Sequence, residues 1–255
     1  MNGHPLVSVI MPTYNAGKTI KDSIQSVLSQ SYTYFELIII DDCSTDNTNE
    51  IIHMFTDPRI HYICNEKNSG VATSRNVGIK IATGEWIAFL DSDDIWDADK
   101  LTLQLSFANK VNAKISYTAS FFMNFEGRRY NWVMPAVYKL NYKALLRRNL
   151  ISCSSVLIKR ELMSKHLFPT KPKTHEDYVA WLKIVREVGV AYGLDEPLLR
   201  YRLSKISKSS SRLKSAIMTY NAYRESGFNL FLATMLTIRY AKYSIMKRHK
   251  ILRGV

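Results

Sequence analysis

The sequence is short of cysteine, of long apolar runs and, at one end, of acid, and each shortage excludes something. Its three cysteines, Cys43, Cys64 and Cys153, are odd in number and far apart. They make no CxxC pair, no Cys/His spacing suited to zinc and no disulfide framework, which fits a reducing compartment. No window approaches the roughly 18 apolar residues of a spanning helix. Pro12 and Asn15 interrupt the first hydrophobic segment, so no secretory signal is expected. The protein is therefore expected in the cytoplasm, soluble or peripheral.

Acid is scarce at the C-terminal end. Of a formal net charge of +13, +11 falls between Arg202 and Val255, where twelve Lys/Arg face the single acid Glu225. The body is nearly neutral. Such an end suits an anionic partner, nucleic acid or an acidic membrane surface. Helix-turn-helix, RNP and zinc patterns are all missing, which argues against nucleic acid. With 46% hydrophobic and 22% charged residues in 255, the chain can form one sizeable α/β domain plus an appendage.

The first half alternates short apolar runs with helical patterns. Leu6–Met11 reads as a buried strand stopped by Pro12, and Ile20, Ile24, Val27 and Leu28 fit one helix face. Glu36–Asp41 is a continuous apolar strand, with Ser44 or Thr45 placed as the N-cap of the next helix. Arg59–Cys64, a helix through Val71, Val77 and Ile81, and the strand Glu85–Leu90 complete the rhythm. Strand and helix in alternation give a mostly parallel sheet flanked by helices. In such sheets ligands lie beyond the strands' carboxyl ends, so the turns after Met11, Ile40 and Leu90 should converge. Beyond, 113–123 and 151–158 read as strands, 139–149 and 176–188 as helices, and the chain from about Leu213 as a helical tail.

Asp91-x-Asp93, with Asp94 adjacent, follows a buried strand. Crowded carboxylates repel at ~1 kcal/mol or more per close pair, and a hard divalent cation relieves this, taking one or two carboxylates plus phosphate oxygens. The alternative is an Asp-rich turn capping a helix near Ile95. Asp42 suits a cap for its own turn, whereas Asp41, directly off the strand, is better placed for a ribose or base. Arg75 is either functional or an exposed salt-bridging residue.

Taken together, VSVIMPTYN (Val7–Asn15), IIIDDCSTDNT (Ile38–Thr48), NSG (Asn68–Gly70) leading to RNVG (Arg75–Gly78), FLDSDD (Phe89–Asp94), HEDY (His175–Tyr178) and Tyr201-Arg202 resemble glycosyltransferase family 2, of the GT-A fold, in order and rough spacing. The resemblance implies an inverting transferase that moves one sugar from a nucleotide-sugar donor, UDP-hexose by family frequency. The acceptor it implies is a polyprenyl-diphosphate-linked saccharide in O-antigen, capsule or related surface-polysaccharide synthesis. By the same resemblance Pro12, Thr13, Tyr14, Asp41, Arg75 and Asp91 line the nucleotide pocket. Asp93 with Asp91 would hold Mn²⁺ or Mg²⁺, Asp177 would be the general base, and Glu176, Tyr201 and Arg202 would support the acceptor side. Residues 1–212 would be catalytic, about 1–110 for the donor and 111–212 for the acceptor, and 213–255 a basic, membrane-associating tail. His175 is taken as structural. Where many members carry a His two residues after Tyr-Arg, this chain has Ser204, with Lys205 and Lys208 nearby. The QxxRW signature of processive relatives is missing, which favours single additions.

Two other functions compete. A nucleotidyltransferase calls for a Gly-rich basic loop after the first strand, and PTYNAGK supplies only Gly17 and Lys18. An inactive nucleotide-sugar binder would not need both acidic motifs intact. In the tail, Phe228–Ile238 is largely apolar, and Arg239 and Lys242 fall near the stripe of Phe228, Leu232 and Met235. This fits either an interfacial segment on the anionic inner membrane face, its basic side chains snorkelling, or a helix packed on the domain.

Overall fold

The computed structural model describes residues 4–203 and 212–253, the side chains of 212 and 243–253 excepted. The elements run β1 (Val7–Thr13), α1 (Ile20–Leu28), β2 (Phe35–Asp41), α2 (Thr48–His53), β3 (Ile60–Cys64), α3 (Val71–Ile81), β4 (Trp86–Phe89), β5 (Ile95–Trp96) and α4 (Lys100–Lys110). The second half follows with β6 (Ile115–Met123), β7 (Arg129–Met134), β8 (Lys139–Asn141), α5 (Tyr142–Leu145), β9 (Val156–Lys159), α6 (Arg160–Lys165), α7 (Glu176–Val188) and β10 (Val190–Arg202). Helices α8 (Arg212–Glu225) and α9 (Leu230–Arg253) complete the chain.

One sheet joins both halves in the order β3-β2-β1-β4-β9-β6-β10-β5. The first four strands are mutually parallel. Their continuous Val/Ile/Leu composition suits burial on both faces. Antiparallel β9 then bridges β4 to β6, and β6 pairs in parallel with β10. The parallel α/β sheet flanked by helices that the apolar runs imply is present, with an antiparallel splice at its centre.

Strand β1 does not stop at Pro12 but runs to Thr13, with Pro12 opposite Ile40. Thr13 accepts from the Asp42 amide and Ile10 from the Leu90 amide, so alternate residues of β1 address β2 and β4, and Pro12 addresses the β4 side. Because β4 ends at Phe89, the N–H that proline lacks would face no strand there, and the usual objection to proline inside a sheet does not apply. β1 and β2 thus end level, at Thr13 and Asp41.

Two apolar layers cover the sheet. Ile10, Ile38, Phe89, Tyr117, Trp181 and Val185 belong to one, and Val9, Ile24, Leu37, Trp86 and Leu105 to the other. Ala222, Tyr223 and Ala233 of the last two helices lie in the first. The C-terminal helices are therefore seated on the main core. Among the described residues, no helix is long and apolar enough to cross a membrane.

Candidate active site

The converging turns are laced by backbone-to-side-chain bonds. Asn15, at φ 48°, donates its amide to Ser44 Oγ at 2.9 Å and accepts from the Thr45 amide at 2.8 Å. The Ala16 amide reaches Thr48 Oγ1 at 2.8 Å and the Gly17 amide Asp46 Oδ2 at 3.0 Å. Ser44 and Thr45 are thus spent on the loops and do not cap α2, whose N-cap residue is Asn47. Asp42 does not cap its own turn either. It accepts from the amides of Ser69 and Gly70 at 2.9 and 2.7 Å and from Asn65 Nδ2 at 2.8 Å, clamping the loop before α3. Gly70 at φ 86° occupies the left-handed region that favours glycine.

Asp41 is almost fully buried, accepting from the Ser44 amide and hydroxyl and from the Tyr62 phenol. Its carboxylate is held by these partners rather than projecting freely. Pro12 and Thr13 are buried beside it, Thr13 Oγ1 has no hydrogen-bond partner among the described residues, and Tyr14 is 48% exposed.

Arg75 joins the halves. It is buried on α3, not exposed on the surface, with 4% of its area accessible. Its guanidinium meets Asp91 Oδ1 at 2.6 Å and Glu176 Oε1 at 3.3 Å and lies 5.4 Å from the centre of the Phe168 ring. Gly78 lets α3 approach this closely, since a Cβ there would sit 2.6 Å from Ile10 Cγ2. Asn76 exchanges two hydrogen bonds with the Phe168 backbone, fixing the ring beside the guanidinium.

After β4 the chain turns through Asp91–Asp94 into the short strand β5, which pairs with β10. No helix starts at Ile95, which removes the helix-capping account of the acidic turn. Asp94 is buried and accepts from the Arg202 amide at 2.9 Å. Arg202 Nε donates to the Asp93 carbonyl at 2.7 Å, and Nη1 to that of Phe125. Arg202 therefore clasps the acidic turn to the β6–β7 hairpin. Burial and then the Asp91 charge push Asp93 up to about 6, and burial with the flanking carboxylates holds Asp94 well above the ordinary range.

HEDY opens α7, as its acidic first turn suits a helix N-terminus. Asp177 accepts from the Tyr178 amide at 2.7 Å. Burial, then the adjacent Glu176 charge, raise its carboxyl above the usual value, while His175 and Arg75 pull it back. Tyr201 is pushed well above the usual phenol range by burial and then by Asp94, Asp91, Asp93 and Asp177. It remains a neutral donor between the two acidic motifs. Asp91, Asp93, Glu176, Asp177, Arg75 and Tyr201 thus share one cluster, and position 204, with Lys205 and Lys208, lies outside the described residues.

Three supporting residues carry no motif. Ser154 Oγ accepts from the Asp91 amide at 3.1 Å, and the Ser154 carbonyl accepts from Trp96 Nε1 at 2.8 Å. Behind Trp96, fully buried Lys100 lies 4.3 Å from the ring centre and donates to Gln104 at 2.6 Å. A lysine in a helical stretch gives no sequence signal for this.

A parallel sheet whose loops meet an acidic turn on one side and an acidic helix start on the other is the arrangement of the GT-A fold. The family model described as Glycosyl transferase family 2 matches residues 8–167, and the chain belongs to that family and is a glycosyltransferase. It is 40% identical, over 97% of its length and 99% of the relative's, to a protein described as a putative teichuronic acid biosynthesis glycosyltransferase, TuaG, of Bacillus subtilis (strain 168). It is 41% identical, over 82% of its length and 81% of the relative's, to the UDP-Glc:alpha-D-GlcNAc-diphosphoundecaprenol beta-1,3-glucosyltransferase WfgD of Escherichia coli. Residues 1–349 of S. aureus TarS, solved in complex with UDP-GlcNAc, superpose with a TM-score of 0.70 at 21% identity, over 91% of this chain and 70% of that one.

Proposed function

We propose that the protein transfers one sugar, with inversion, from a UDP-hexose to a polyprenyl-diphosphate-linked saccharide during surface-polysaccharide synthesis, at the anionic inner face of the cell membrane. The observation that carries this is the division of labour among five acids. Arg75 is shared by Asp91 and Glu176, and Asp94 is tied to the Arg202 amide. Asp93 and Asp177 are left without an ion pair among the described residues. Relatives named for teichuronic acid synthesis and for a diphosphoundecaprenol-linked acceptor support the acceptor class.

Among the described residues there is no cluster of three or more His, Cys, Asp or Glu able to cage a cation. The donor set fits the other arrangement, in which one or two carboxylates bind and the substrate's diphosphate completes the shell. Asp93, assisted by Asp91, would hold Mn²⁺ or Mg²⁺, which supplies charge neutralisation for the departing diphosphate. The laced loops around Asn15 and Gly70, with Pro12, Thr13, Tyr14 and Asp41, form the nucleoside end. Asp177, its carboxyl raised, takes the proton of the acceptor hydroxyl on the opposite side, for roughly 10²–10⁴-fold. Glu176, Tyr201 and Arg202 hold that side in place.

The test is a panel of nucleotide sugars with the purified full chain, a synthetic diphosphate-lipid sugar acceptor and Mn²⁺, with the product anomer read by NMR. Transfer with inversion that is lost in Asp177→Asn, while nucleotide affinity stays nearly unchanged, is the expected result. A retained anomeric configuration, or full activity in Asp177→Asn, would overturn the assignment.

A further inference from the structure

Helix α9 spans Leu230–Arg253 and has two unlike faces. Its inner face enters the core through Ala233, with Leu236 and Tyr240 packed against it. Its outer face carries Leu230 at 64%, Phe231 at 75%, Met235 at 52% and Ile238 at 56% exposure. Phe231, Met235, Ile238 and Lys242 follow the four- and three-residue steps of a single helical stripe, and Lys242 is exposed. Phe228 faces inward, against Tyr223 at a ring distance of 6.0 Å, so the exposed stripe is not the one centred on Phe228 that the helical wheel suggests. Water-facing Phe, Met and Ile in a continuous row are unusual on a soluble protein and mark an interaction surface.

We propose that this outer face of α9 is an insertion surface for an anionic lipid bilayer, and that it fixes the height of the catalytic site above the lipid. The choice of occupant follows from charge. The segment from Arg202 holds twelve Lys/Arg and one acid, which opposes pairing with a second copy of itself and favours anionic headgroups, at about 1 kcal/mol per basic group near the surface. An apolar row flanked by basic side chains is the pattern of a helix lying in the interface, its apolar face about 5–10 Å into the headgroup region.

The inner face supplies the consequence. Tyr240 packs on Tyr178 with ring centroids 5.7 Å apart, Tyr178 directly follows Asp177, and the Tyr240 phenol feels the Asp177 charge. The same helix therefore faces lipid on one side and the catalytic acid's helix on the other. With a helix diameter of about 10 Å, Asp177 is held on the order of 15 Å from the inserted side chains, in or just above the headgroup layer. A diphosphate-linked sugar projects there. This deepens the proposed function and rests on the lipid-linked acceptor, but its test does not involve sugar transfer.

The experiment is vesicle flotation of the full chain with phosphatidylcholine alone and with phosphatidylglycerol added. Wild type should bind only the anionic vesicles, and more weakly as salt is raised. The triple variant Phe231→Ser, Met235→Ser, Ile238→Ser should partition about a hundredfold less, or ~2.8 kcal/mol at 1.4 kcal/mol per decade. Nucleotide binding by that variant reports that it folds. Independently, Phe231→Trp should gain fluorescence quenching by brominated lipid over the four native tryptophans. Equal vesicle binding by wild type and triple variant, or no added quenching in Phe231→Trp, overturns the proposal. So does a lipid-free wild-type dimer that the triple variant splits, which would make the face a contact between copies. Vesicle binding as expected with no transferase activity would leave this surface standing and sink the proposed function instead.

Discussion

Lys100 offers a quantitative check on the architecture behind the acidic turn. Fully buried, with Gln104 as its hydrogen-bond partner, its ammonium is pushed down by burial to about 7. The unfolded chain holds the proton to about 10.5, so between these values the unfolded state binds more protons and stability rises with pH. At pH 7 the penalty for discharging Lys100 is ~4 kcal/mol, and at pH 9 ~2 kcal/mol, at 1.36 kcal/mol per unit. The Trp96 ring at 4.3 Å favours the charged form by ~0.5–2 kcal/mol, which moves the start of the window without reversing its sign. Lys100→Met removes the titration and leaves Gln104 Oε1 without its donor, at ~1–3 kcal/mol. The absolute stability of the variant therefore mixes two effects, and its pH slope isolates one. Urea unfolding of both proteins from pH 6 to 9 should show wild type gaining ~2 kcal/mol on Lys100→Met between pH 7 and 9, with little change between pH 6 and 7. A difference that stays constant across that range would refute a buried, discharged Lys100.

Three further substitutions test the site. Arg75→Met strands Asp91 and Glu176 without their shared cation and should cost ~3–5 kcal/mol in chemical denaturation, part of it recovered when Glu176→Gln is added. Asp93→Ala should weaken nucleotide binding in Mn²⁺ by at least about tenfold in calorimetry while leaving metal-free binding unchanged, and equal loss in both conditions would remove Asp93 from the metal. Asp42→Ala releases the Ser69 and Gly70 amides and should lower stability by ~2–4 kcal/mol, with faster hydrogen exchange confined to that loop.

The legible parts of the fold were those where local pattern and tertiary role agree. Val7–Met11, Ile38–Ile40 and Ile87–Leu90 are largely apolar because both sheet faces are covered, and Glu176–Val188 is apolar through most of Tyr178–Val185, which is buried, so each reads correctly from sequence. Strand β10 does not. Its Gly193, Asp195, Glu196 and Pro197 break any alternation, and the ladder to β6 absorbs them as register shifts around Pro197. The expected helix at 139–149 shrinks to Tyr142–Leu145 because Lys139–Asn141 pairs with β10 as a strand, a long-range contact that outweighs local propensity. In the candidate site, motif order named residues that the fold brings together, but not their partners. The Arg75 link to Glu176 spans about a hundred positions and the Arg202 clasp on the acidic turn slightly more. No local spacing carries either.

These clasps bear on how five acids can share one cleft. Burying several carboxylates together is prohibitive unless most are compensated. Arg75 pairs with Asp91 and Glu176 and the Arg202 amide bonds Asp94, using groups already fixed by α3 and β10. Asp93 and Asp177, both raised by burial and a neighbouring acid, have no ion pair among the described residues. On the proposed roles, a cation carrying a diphosphate would relieve the first, and a proton taken from an acceptor hydroxyl would relieve the second. On that reading each acid would gain its partner when its own substrate arrives, which would tie occupancy of each side of the cleft to the chemistry proposed there. Adding a fixed cation beside Asp177, by contrast, would lower its carboxyl and weaken it as a base. Arg75 bonds Glu176 rather than Asp177, and its pull on the Asp177 carboxyl does not offset burial and the Glu176 charge, which leave that carboxyl raised.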